Sequence, residues 1–180
     1  MVEMALILPI FVLLLIGLVE FSVMFSIIIN VNYASRDGAL MAAEVGDNVG
    51  GDCLILQRID AALSAVTHHS DIIEVRIFRA DANGVELAAN SYSEGGATTC
   101  TFATGGTVTV PFSAETLNYP ASDRCAVLAG CGGSHPGVDS IGVSIRYHHD
   151  WLTPLPNLVQ ITPTGVDFTR SNTMRMEPVL

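Results

Sequence analysis

The chain has no lysine: its eight basic residues are all arginines, against eighteen acidic residues and a formal net charge of −10. A surface without basic clusters gives phosphate backbones and anionic headgroups little to grip. Nucleic acids and anionic membrane surfaces are therefore excluded as leading partners. The chain also lacks any Cys-x-x-Cys pair, and its histidines lie at no ligand spacing, so neither a metal nor another cofactor is expected. It has no Gly-x-Ser-x-Gly elbow, phosphate-binding loop, dinucleotide fingerprint or His-Glu-x-x-His, and no catalytic residue is assigned. No Asn-x-Ser/Thr sequon with a permitted middle residue occurs. There is no basic residue before Arg36 and no small-residue cleavage site after a short apolar middle. The leading segment is therefore expected to be retained rather than cleaved.

That segment, Met4 to Ile29, reads MALILPIFVLLLIGLVEFSVMFSIII. It is apolar on every face except at Glu20, Ser22 and Ser26, and as a helix it spans about 39 Å, enough to cross a bilayer. It runs on into NVNYASRDGALMAAE, still good helix sequence, so one N-terminal helix of about 40 residues is predicted. Two carboxylates interrupt its apolar character. A carboxylate in hydrocarbon is costly unless partnered, so Glu3 and Glu20 are candidate functional residues. Glu3, near the N-terminal amine, can pair with it within one chain or with the amine of a neighbouring subunit. Farther along, Ala34, Gly38 and Ala42 form one ladder of small residues and Ser35, Ala39 and Ala43 a second beside it. Spaced every four residues, they stack on one side of a helix and let another backbone come close, either the chain's own domain or a neighbour's.

Three consecutive segments, Val2–Pro9 (VEMALILP), Gly17–Phe21 (GLVEF) and Asn32–Ala39 (NYASRDGA), resemble the defining motifs of TadE-like proteins of the type IV pilin superfamily. The close of the chain, Met174-Arg175-Met176-Glu177-Pro178, is similar to the close of many such proteins. Met4 stands where the family usually has Phe, and Glu3 is third where a mature pilin carries its glutamate fifth. The resemblance implies a pilin-like α+β fold: a long hydrophobic helix, then a small globular domain with a short helix and an antiparallel sheet. Residues 1–45 would be the transmembrane and filament-core helix and residues 46–180 an extracytoplasmic head. It further implies a Tad-type filament subunit, with Glu3 and Glu20 in helix docking. The partners implied are copies of itself or other pilins, an inner-membrane Tad-type assembly platform, and lipid before assembly. In the family the shaft is usually made by a much smaller pilin, which keeps a minor, priming or tipping role in view. An anchored extracytoplasmic binding module is the reading from another class.

Four cysteines, Cys53, Cys100, Cys125 and Cys131, all follow the apolar segment, and their even number in a Gly- and Thr-rich region predicts two disulfides in an oxidising space. Three pairings are open; proximity favours Cys125 with Cys131, which leaves Cys53 with Cys100. Arg36, just past the apolar run, would by itself draw that end to the cytoplasm, and the cysteines outweigh it.

Gly46 to Gly51 should end the first helix, and Asp52 should cap a second reaching about Thr67, with Leu56, Ile59, Leu63 and Val66 inward. His68 and His69 would sit at its C-terminus, favoured by the dipole. Ile73, Val75 and Ile77 then alternate with charges and lead through Asn83-Gly84 into Val85–Ala89, a hairpin. Ser91 to Gly106 reads as loop, Thr107–Phe112 as a short strand, and Ala114 to Pro136 as irregular chain organised by disulfides. Ile141, Val143, Ile145 and Tyr147 alternate as the clearest strand. After it, His148, His149 and Asp150 point to opposite faces in turn and cannot converge on one ion, and Trp151 with the following prolines forms a rigid corner. Val159–Thr162 and Val166–Met176 complete a sheet of four or five strands.

Overall fold

A computed structural model describes residues 2–64, 71–133, 135–153 and 165–177, with side chains of the first helix from Ile7 onward. Helix α1 is Val2–Val45 and α2 is Gly51–Leu63. The strands are β1 Ile72–Ala80, β2 Glu86–Thr101, β3 Thr107–Leu117, β4 Ser140–Asp150 and β5 Gly165–Arg175. They form one antiparallel sheet in the order β3-β2-β1-β4-β5, an α+β architecture with α1 and α2 on one face.

The core sits where the second half of α1 meets α2 and the sheet. Ile27, Val31, Ala34, Ala39 and Ala42 of α1 are buried with Ile55, Leu56, Ile59 and Leu63 of α2. The alternation along β4 turns Ile141, Val143, Ile145 and Tyr147 into the same core. Gly38 lets the two helices approach: a Cβ there would lie 2.8 Å from Ile59 Cγ1. On the outer face of the sheet, Phe78 stands opposite Gly142 on one neighbour and Ala89 on the other. A Cβ at Gly142 would overlap its ring, so the glycine is what lets the aromatic lie flat on the sheet.

Helix α1 ends as its sequence dictates. Gly46 takes φ 54° and donates to Ala42 O, a left-handed stop that glycine adopts without steric cost. The chain following β5 returns to this end: Glu177 N donates to Ala43 O, a carbonyl left open by the helix terminus, and Met176 is buried beside it.

Several expectations need correction. Helix α2 is capped by Gly50, with no side-chain cap bond. Asp52 lies inside the first turn, where its carboxylate serves other partners. The helix's predicted last turn, with Val66, Thr67, His68 and His69, lies outside the described residues, as do Val159–Thr162 and the prolines after Trp151. Ser91 to Gly106 is not a loop. Strand β2 runs on to Thr101 because its β-branched threonines fit a pleated ladder, pairing Thr98 with Val110 and Thr99 with Thr109. A bulge between Glu94 and Thr98 absorbs the glycines that had suggested a loop. For the same reason β3 extends to Leu117, five residues past Phe112.

Candidate functional site

The cysteines close as Cys53–Cys100, joining α2 to β2, and Cys125–Cys131, closing a short loop. Between them lies a buried polar network that the sequence reading did not find. Asp52 accepts from Tyr92 Oη (2.6 Å) and Asn90 Nδ2 (2.7 Å) and pairs with Arg124, whose side chain is fully buried. Asn90 also accepts from Tyr119 N at 2.7 Å, and Tyr119 Oη donates to Asp139 at 3.0 Å. Burial first, and the neighbouring aspartates second, push the Tyr92 and Tyr119 phenols well above their ordinary range. A buried carboxylate persists where such donors replace water, so this network is a structural staple of the head. No local spacing announces it, since Asp52 and Arg124 lie 72 residues apart.

The predicted helix residues divide into two sets. Ala34, Ser35, Gly38, Ala39, Ala42 and Ala43 are all buried. Asn172 of β5 donates to Ser35 Oγ at 2.6 Å, and Val143 of β4 lies against Gly38. The small-residue ladders thus seat α1 on its own head. Earlier along α1 the helix remains apolar and exposed at Phe21, Phe25, Ile29 and Tyr33. Below it, every described side chain from Ile7 to Leu15 is exposed, and the helix is long and apolar enough to cross a membrane. Glu3 lies in the first turn of α1.

Glu20 marks the border between these two environments. It is 4% exposed although it stands on an apolar helix. Its carboxylate accepts from Leu152 N at 2.8 Å and Thr153 N at 3.1 Å, backbone amides just beyond the end of β4. His149, 3% exposed, holds the inward position that follows Tyr147 along β4 and brings its Nε2 to 3.7 Å from Glu20 Oε1. Trp151 meets the His149 ring edge-on, with centroids 5.9 Å apart. Two amides at hydrogen-bond distance give the carboxylate the donors that hydrocarbon cannot. Chemically the arrangement is a clasp between stem and head. The sequence pointed to Glu20 as unusual, but its partners, 132 and 133 residues away, were out of reach of any spacing argument.

His148 faces the other way and bonds Asp167 Oδ1 at 2.5 Å, with Arg146 on the same carboxylate at 2.8 Å. The hydrogen bond to Asp167 raises the imidazole pKa, and the same bond, with Arg146, lowers that of Asp167. His148, His149 and Asp150 thus divide between the two faces of the sheet. Among the described residues no three His, Cys, Asp or Glu side chains gather into a metal set.

Comparison with known proteins gives no match among curated proteins and none among solved structures. The N-terminal helix, by contrast, finds a likeness: residues 1–40 match the family model described as TadE-like protein, and over that stretch the chain is similar to proteins of that family.

Proposed function

We propose that the chain is a structural subunit of an extracellular, Tad-type filament of the type IV pilus kind, assembled through its N-terminal helix from a membrane-anchored precursor pool. Residues 1–45 act as the transmembrane and filament-core helix and residues 46–180 as the extracytoplasmic head. The observation that carries this reading is the stem between Ile7 and Leu15. It is apolar and exposed on all sides, while the second half of the same helix is taken into the core of the head. Such a rod is stable only when lipid or other helices surround it.

Because Glu20 is occupied by amides of its own chain, Glu3 is the carboxylate offered to the amine of a neighbour. Because the small-residue ladders are covered by the head, neighbouring subunits pack along Phe21, Phe25, Ile29 and Tyr33 instead. The partners are copies of this chain or related pilins, with a Tad-type assembly platform in the inner membrane.

The test is to isolate extracellular filaments and identify their dominant polypeptide. This chain as the main component supports the proposal. A trace amount in a shaft of smaller pilin makes it an assembly factor that primes or tips the filament. Its absence, with solitary heads on the membrane, makes it an anchored binding module. In Glu3→Ala, filaments should be lost while the head still folds; filaments at normal yield would remove the docking role.

A further inference from the structure

Strand β4 runs down α1 toward the helix N-terminus: Val143 lies against Gly38 and, six residues on, His149 lies beside Glu20. Among the described residues, the corner following β4 therefore lies at the edge of the head toward the exposed stem. Met4–Val19 supplies about 24 Å of apolar helix, most of the roughly 30 Å of a bilayer's hydrocarbon. Glu20 then falls at the hydrocarbon edge, where its clasp fixes the depth of Leu152 and Thr153. A span placed farther along, from Ile7 to Ile29, would pull Asp150, with a side chain 67% exposed, into hydrocarbon at a large desolvation cost. The corner itself is suited to an interface. Leu152 is 64% exposed; Trp151, of the residue type that prefers the headgroup level, is half-buried beside it, with its ring edge-on to His149 and its Nε1 turned away from solvent.

We propose that the Trp151–Leu152 corner of the head is a membrane-contact surface, seated in the headgroup layer of the bilayer that α1 crosses and held at that depth by Glu20. Continuity with the apolar stem favours lipid as the occupant. Asp150 and Asp167 nearby direct it to a zwitterionic surface and away from an anionic one. The inference rests on α1 being membrane-anchored, and the experiment reads that separately.

The full chain is reconstituted in phosphatidylcholine vesicles, and flotation reports anchoring. Trp151 is the only tryptophan, so its fluorescence reports the corner alone. Lipids brominated near the headgroup should quench it about twofold more than lipids brominated near the chain ends, as an interfacial ring requires. Leu152→Asp, at an exposed position, and Glu20→Ala should both bring quenching down toward the level in detergent, with flotation unchanged. Floating wild-type protein without quenching, with deeper quenching, or with quenching that Leu152→Asp leaves intact overturns the proposal. So does quenching that falls as protein is crowded into the membrane, since another copy would then cover the corner. A chain that does not float overturns the anchoring reading first.

Discussion

The two halves of α1 are one helix in two surroundings. From Ile7 to Leu15 its side chains are apolar and exposed; from Ala34 to Ala43 its buried side is built of Ala, Ser and Gly against α2, β4 and β5, with Ile27 and Val31 packed between the two stretches. The large residues suit a fluid or interchangeable neighbour, whereas the small ones suit one fixed backbone at close range. The same helix can thus be a generic stem at one end and part of a specific core at the other, with Glu20 at the changeover.

The comparison is broken most strongly at the head's covalent ties. In the chain-entropy view, loss of Cys53–Cys100, which spans 47 residues, costs about 4 kcal/mol, and loss of Cys125–Cys131, which spans 6, about 2 kcal/mol. Urea unfolding of the two double Cys→Ser variants should show that order. Gly38→Val, on the packed half, meets Ile59 at once and should cost roughly 1–3 kcal/mol by overpacking. Leu14→Ala, on the exposed half, should change head stability by less than about 0.5 kcal/mol. Equal losses from these two substitutions would erase the distinction between the halves.

The smallest effect belongs to the exposed His148–Asp167 pair. Because Asp167 raises the imidazole pKa in the folded state, the pair stabilises the fold fully below the ordinary value of about 6.5, and that contribution is lost as pH rises through the raised value. Asp167, held low, contributes above its ordinary carboxylate range, and that contribution disappears as pH falls through its lowered value. Titration of the imidazole protons by NMR should place His148 above the reference, and Asp167→Asn should lower it, with Asp150 still beside the ring at 3.2 Å.

What was legible in the sequence was whatever has a period or a neighbour in sequence. The apolar run gave α1, the alternation from Ile141 gave β4, and Asn83-Gly84 gave the first hairpin, where Gly84 takes φ 81°. Misreadings arose where residue type pulled against context. The threonines and glycines of Ser91–Thr101 look like loop by composition, yet edge pairing with β3 holds them extended. Asp52 looks like a cap, but a buried arginine 72 residues on takes its carboxylate. The site followed the same rule: Glu20 stood out as a charge in an apolar helix, while the amides that receive it come from a corner that only the folded sheet brings near.

The return of Glu177 to Ala43 gives the head a second hold on the same helix, about 35 Å from the first at Glu20. A pull applied along the stem is shared between two fastenings at opposite ends of the head instead of tearing at one hinge. Stem and head should move as a single rigid lever, with any such load borne along the whole length of their shared seam.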